Sequence, residues 1–199
     1  MEDIIHIKNN IKQENVSLSN HLLIGNRIPK DFFITSGSGE SDVCVHAGSY
    51  HLALKNAGIE KANIITYSSV LPSIATQIEN PKKIVLGSVM ETIMAVANGA
   101  KNELLSAGIK YGWLYHRITG EKYGGLVCEH SGNISENELE SILYLSLIEL
   151  YENGFEDDYE LREEKLIKNS FTPQKKYGTV IVSLCFMNYL YPYIVENEK

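Results

Sequence analysis

The sequence predicts an α+β layered sandwich, and three observations carry that prediction. Strand-like and helix-like runs are mixed without the strict βαβ alternation that builds a parallel sheet. One helix is announced by a full set of start and stop signals between Ser135 and Gly154. Residues 176–186 are nearly continuously apolar, as a strand buried on both faces must be. The 199 residues, 44% hydrophobic and 22% charged, suffice for one domain with a substantial core.

The elements follow in chain order. Residues 1–27 are polar, rich in Asn, Lys and Gln, and read as an extension ahead of a domain over 28–199. Residues 31–35, Asp-Phe-Phe-Ile-Thr, read as a short strand, and Ser36 to Asp42 as a loop by its glycines and serines. A plain connection is favoured there over a phosphate cradle, because the Lys-Ser/Thr ending is missing and Glu40 and Asp42 would repel an anion. Residues 48–58 predict a short helix capped by Ser49 and stopped by Gly58, with Tyr50, Ala53, Leu54 and Ala57 on one face. The β-branched run 63–67 predicts a strand that leads into Ser68-Ser69-Val70-Leu71-Pro72. Two apolar runs follow at 83–90 and 92–97, then strands at 108–115 and 123–129 joined through 117–122. Ser135-Glu136-Asn137-Glu138 is a capping box for a helix reaching about Glu152, with a stripe of Leu139, Ile142, Leu143, Leu147, Leu150 and Tyr151. Residues 156–170, acidic then basic, read as an exposed helix.

Composition narrows the function classes. A net charge of −7 disfavours nucleic acid and anionic membranes as partners. No stretch approaches the roughly 20 apolar residues of a membrane span, and Met1 to His6 lacks the features of a signal peptide. Cys44, Cys128 and Cys185 have no C-x-x-C spacing, and the last two sit in strand-like runs where cysteine is a small core residue. A reducing, cytoplasmic setting is therefore expected. The six histidines show no paired spacing, so no metal site is predicted.

Chemistry is suggested at Ser68-Ser69, because a serine hydroxyl beside a strained peptide carbonyl can attack it and cut the chain. By pattern alone the same dipeptide reads rather as an inert turn. Taken with the helix ending Leu54-Lys55-Asn56-Ala57-Gly58-Ile59, the strand from Asn63 to Ser69, the Gly124-Gly125-Leu126-Val127-Cys128-Glu129 strand and the closing strand opened by Tyr177-Gly178, the chain resembles the pyruvoyl-dependent arginine decarboxylases. The likeness covers about residues 28–190, and residues 89–95 look like the subtype found in some intracellular bacteria.

The resemblance implies a four-layer αββα sandwich, self-cleaved between Ser68 and Ser69 into a small β chain and a larger α chain. It implies a zymogen activated by autocatalytic serinolysis, a covalent pyruvoyl group derived from Ser69, and conversion of arginine to agmatine and CO₂ in polyamine biosynthesis. It further implies homotrimers of αβ protomers, or dimers of such trimers, with active sites between neighbours. Glu129 would return a proton to the substrate Cα, which requires a carboxyl pKa raised by burial near Leu126 and Val127. Asn63 would position backbone or substrate, Tyr67 and Glu91 would line the pocket, and Tyr50, His51 and Leu54 would meet the substrate.

One position departs from the family pattern. His51 stands where an aspartate would grip the guanidinium of arginine, and an imidazole cannot accept two parallel hydrogen bonds. The substrate expectation therefore divides between arginine, with Glu40 or Asp42 compensating, and an amino acid without a cationic tail. A non-catalytic structural or regulatory relative is the remaining alternative, and the presence of Ser68, Ser69, Asn63 and Glu129 argues against it.

Overall fold

A computed structural model describes residues 25–81 and 83–192, so most of the stretch read as an N-terminal extension lies outside the described residues. In chain order the elements are β1 (Ile28–Pro29), β2 (Asp31–Ser41), a π-helical turn over Val45–Tyr50, α1 (His51–Ala57), β3 (Asn63–Thr66), β4 (Val70–Pro72), β5 (Thr76–Gln77), β6 (Val89–Ala100), β7 (Leu105–His116), β8 (Lys122–Gly132), α2 (Glu136–Glu152), β9 (Tyr159–Phe171), β10 (Tyr177–Phe186) and β11 (Tyr189–Leu190). The chain divides into two units, Ile28–Leu190 and the flanks 1–27 with 191–199. In the flanks, the Gly25 amide donates to the Pro192 carbonyl at 2.7 Å.

The larger unit contains two main sheets. The first has the order β3-β6-β10-β2-β5, with β10 antiparallel to β6 and β2, and the short edge strands β3 and β5 added in parallel. The second has the order β4-β8-β7-β9 and is antiparallel throughout. Strand alternation sorts the side chains. Phe32, Ile93, Ala95, Val180, Val182 and Leu184 from the first sheet meet Ala107, Ile109, Tyr111, Trp113 and Val127 from the second in one buried layer. Edge-on contacts fix the aromatics there, Phe32 against Tyr111 at 6.1 Å and 87°.

Each sheet carries a helix on its other face. Ala53, Leu54 and Ala57 of α1 pack on Phe33, Met90, Ile181 and Cys185. Leu147 of α2 packs on Leu114 and Leu126, and Leu139 and Leu143 are fully buried beside it. The layers therefore run helix, sheet, sheet, helix, in a mixed α+β protein.

The predicted strong helix and the all-buried last strand stand where the sequence puts them, as α2 and β10. Ser135 caps α2 by accepting from the Glu138 amide at 3.2 Å, and Gly58 ends α1 with φ 76°. Four readings change. The Gly/Ser stretch from Ser36 is not a loop but the second half of β2, paired residue by residue to β10. A Cβ at Gly37 would lie 2.2 Å from the Ala53 carbonyl oxygen, and one at Gly39 2.4 Å from that of Ser49, so these glycines admit the backbone of α1. Ser49 is no cap; it is buried and hydrogen-bonded to Thr179 at 2.8 Å. Residues 83–88 precede the strand, leaving Val85 and Leu86 exposed. Residues 159–171 form edge strand β9 rather than a helix, their charges facing solvent along an unpaired sheet edge.

Candidate active site

The site lies where the chain leaves one sheet for the other. β3 forms an edge of the first sheet and β4 an edge of the second, so residues 67–69 form the crossing between them. On the near side the Tyr67 amide donates to the Thr92 carbonyl at 2.7 Å. On the far side the Val127 amide donates to the Ser69 carbonyl at 3.0 Å, and Val70 pairs with Leu126. Between them the Ser68 carbonyl accepts from the Val70 amide at 3.2 Å, a three-residue turn centred on Ser69.

Glu129 lies two residues beyond Val127 on β8 and therefore points to the same side, toward the space between the sheets. The Ser69 hydroxyl donates to Glu129 Oε2 at 3.3 Å, across 60 residues of sequence. Desolvation raises the Glu129 carboxyl above its ordinary value, and the Ser69 hydroxyl and a backbone hydrogen bond pull it part of the way back. One flank of Glu129 stays exposed, open to solvent. Cys128, on the opposite side of β8, packs toward α2, and burial pushes its thiol up to about 11, leaving it an inert core residue.

Tyr67 and Glu91 meet beside the crossing. The Tyr67 hydroxyl donates to Glu91 Oε2, and Glu91 sits almost wholly buried on β6. Asn63 is placed elsewhere. It opens β3, six residues before Ser69, and its side-chain amide donates to the Gly87 carbonyl at 3.1 Å.

Tyr50, His51 and Leu54 belong to the outer face of the first sheet, with α1, and a single chain does not bring them to Ser69. Leu54 is a core residue of the helix–sheet contact, and Tyr50 packs against the same cluster with His46 stacked on its ring at 5.9 Å. His51 is exposed. Glu40 accepts the Gln174 and Lys175 amides at 2.7 and 3.3 Å, and Asp42 accepts that of Lys176 at 3.2 Å, so both carboxylates tie down the turn before β10. The amides of Val70 and Val127 escaped the sequence reading, because backbone donors leave no signature in residue type. Among the described residues no group of His, Cys, Asp and Glu is arranged to hold a metal ion, and no helix is long and apolar enough to cross a membrane. An open groove of about 690 Å³ lined by Lys110, Glu140, Tyr144 and Leu166 lies between α2 and strands β7 and β9 of the second sheet.

Fold and site together define a class: a layered α+β protein that sets a serine against a carboxylic acid on an exposed crossing between two sheets. Comparison with known sequences supplies the family. A profile of the pyruvoyl-dependent arginine decarboxylases matches residues 31–191. A pyruvoyl-dependent arginine decarboxylase from Methanococcoides burtonii is 39% identical over 74 residues, 34% of this chain and 38% of that one. One from Thermococcus kodakarensis is 26% identical over 163 residues, 81% of this chain and 97% of the relative. A third, from Chlamydia trachomatis serovar L2, is 29% identical over 188 residues, covering 83% and 94%. The chain belongs to the pyruvoyl-dependent arginine decarboxylase family, a family of carboxy-lyases.

Proposed function

We propose that this chain is a self-activating, pyruvoyl-dependent amino-acid decarboxylase acting on arginine to give agmatine and CO₂. The observation that carries the reading is the hydrogen bond from Ser69 to Glu129 at the crossing between the sheets. In the uncut chain the Ser69 hydroxyl oxygen attacks the Ser68 carbonyl carbon, the peptide C–N bond breaks, and an ester and a free amine result. Glu129 is the acceptor for the hydroxyl proton, and the Val70 amide faces the oxygen on which charge develops. Loss of the Ser69 Cα proton and cleavage of its Cβ–O bond release the Ser68 carboxylate. Water then replaces the nitrogen as ammonia and leaves a ketone at the new N-terminus.

The residues present fit that group: Ser69 is the source of the carbonyl, and a carboxylic acid already stands against its side chain. Once formed, a pyruvoyl group supplies an electron-withdrawing ketone that condenses with the substrate amine and weakens the bond to the carboxylate. Glu129 then supplies the proton to Cα. Splitting consumes the hydroxyl that lowers its pKa, so the desolvated carboxyl rises further and holds its proton more firmly.

The pocket is completed by a second copy. In one chain the site lies open at the rim of the sheets, and Tyr50 and His51 are on another face, so these two and Asn63 act only across an interface, while Leu54, on the buried face of α1, contributes packing alone. A homotrimer of split protomers, or a dimer of trimers, in the cytoplasm meets this requirement. A second substrate reading is favoured by His51: with Glu40 and Asp42 holding backbone amides, an amino acid without a cationic tail is the rival to arginine.

Denaturing mass spectrometry tests the reading. Two chains split after Ser68, the larger with a pyruvoyl N-terminus, are expected, and a single 22.3 kDa chain refutes it. CO₂ release from a panel of amino acids then decides the substrate; none from millimolar arginine selects the second reading.

A further inference from the structure

Attack by a side chain on the carbonyl of the preceding residue is a problem of orientation. The Ser69 hydroxyl is bonded to the same short loop it must cut, and rotation of the Ser68 unit swings the carbonyl out of reach. After the scissile bond the loop is fixed by Val127 and Glu129. Before it, the Ser68 carbonyl accepts from the Val70 amide of its own turn at 3.2 Å, and the nearest residue tied to a neighbouring strand is Tyr67.

Tyr67 is held at both ends. Its amide extends the pairing of β3 with β6 by one residue, through the Thr92 carbonyl at 2.7 Å. Its ring turns into the layer between the sheets and lies 5.6 Å from the ring of Phe186, tilted by 43°. Its hydroxyl donates to Glu91. Glu91 is 2% exposed and shares its face of β6 with Ile93, Ala95 and Ala97, all apolar. A carboxyl in such a layer is costly unless hydrogen bonds compensate, and an aliphatic residue would fill the place without that cost. A partner for it comes from the residue adjoining Ser68.

We propose that Tyr67 and Glu91 form a clamp that positions the Ser68 carbonyl for attack by Ser69. They are positioning residues: neither touches the reacting atoms, and they act through the backbone of residue 67. This inference rests on the self-cleavage reading and deepens it. A displacement of about 1 Å at a reacting pair costs on the order of 100-fold in rate, so loosening the clamp slows splitting without preventing the fold.

The test uses full-length chains made by timed cell-free synthesis, with the split fraction followed by denaturing mass spectrometry and thermal unfolding recorded beside it. Tyr67→Phe keeps the ring and loses the hydroxyl, and is expected to slow splitting roughly 10- to 100-fold. Glu91→Leu should match it, while Glu91→Gln, whose amide oxygen still accepts, should keep most of the wild-type rate. The double variant Tyr67→Phe with Glu91→Leu should be no slower than either single one. A Tyr67→Phe chain that splits at the wild-type rate overturns the clamp, as do single effects that multiply in the double variant. Should Tyr67→Phe fail to fold, the glutamate pair decides: equal slowing by Gln and Leu overturns the proposal. A wild-type chain that never splits is a separate result, which removes the self-cleavage reading itself.

Discussion

Two stretches of this chain look alike in composition and have opposite fates. Ser36 to Ser41 and Thr66 to Ser69 are both serine-rich and both follow a β-branched or aromatic run. The first is locked into a sheet, each residue paired to β10 and Gly37 and Gly39 pressed beneath the helical segment that ends in α1. In the second the chain leaves one ladder at Tyr67 and joins the other through the Ser69 carbonyl, so between them the Ser68 carbonyl turns to a local donor and the Ser69 hydroxyl finds a carboxyl from a distant strand. On the proposed reading, what separates Ser69 from the serines of the first stretch is a gap in the ladder together with a facing acid from a distant strand.

The sharpest break of this contrast is Ser69→Ala. On the proposed reading splitting falls to nothing and decarboxylation with it, while the fold persists, because the lost hydroxyl lies at the rim. The same variant removes a hydrogen bond that lowers the Glu129 pKa, so the carboxyl should titrate higher than in an uncut chain that keeps the serine; carbon-13 NMR of labelled glutamate reads this directly. A Glu129 resonance that does not move shows that the 3.3 Å contact has no energetic weight.

Glu129→Gln comes next. Splitting should persist at a reduced rate, since the amide oxygen still orients the Ser69 hydroxyl while water must take its proton, whereas decarboxylation per split chain should drop by about 10² to 10⁴, the usual share of a general acid. In the wild-type enzyme the protonated fraction declines as pH rises through the raised pKa, so kcat should decline on the alkaline side of that value. A flat profile there, or full turnover by Glu129→Gln, removes the proton-donor role.

The first region breaks differently. Gly37→Ala sets a methyl against the backbone of α1, and backbone atoms cannot rotate away as a side chain can. A loss of about 3 kcal/mol in urea unfolding is expected, at the upper end of ordinary overpacking. Chains that fold should still split, because the crossing at Ser69 lies on the other side of the sheet.

Much of this was legible in the sequence. The cap at Ser135 is a local pattern and stands as read; of the stripe read along the helix, Leu139, Leu143 and Leu147 are buried while Leu150 is exposed. Pairing Ser69 with Glu129 needed the family resemblance, because 60 residues and a sheet register separate them. Gly37 and Gly39 were misread because a loop and a strand under a close helix both call for glycine, and only the helix position tells them apart. Residues 159–171 were misread because an edge strand defends itself with the same charges as a solvated helix. His51 at the outer face was legible as a departure, but the sequence did not reveal that Glu40 and Asp42 were already engaged.

The smallest effect, and the finest test of the contrast, is Ser49→Ala. Ser49 is a fully buried serine in the π-helical turn that presses on Gly39 of the protected region, bonded to Thr179 at 2.8 Å. The Thr179 hydroxyl spends its one proton on Asn98 Oδ1 at 2.7 Å, so Ser49 is the donor in its own bond. Removing the Ser49 hydroxyl takes away one donor and leaves Thr179 still bonded through Asn98, so no buried proton is stranded. The cost should be about 1 kcal/mol, the net value of one neutral hydrogen bond, rather than that of an orphaned polar group. Urea unfolding measures that difference, and mass spectrometry should find splitting at the wild-type rate. A slowed split in Ser49→Ala would mean that the two serine-rich regions are coupled through α1 and the first sheet, and that the contrast between them is one of degree.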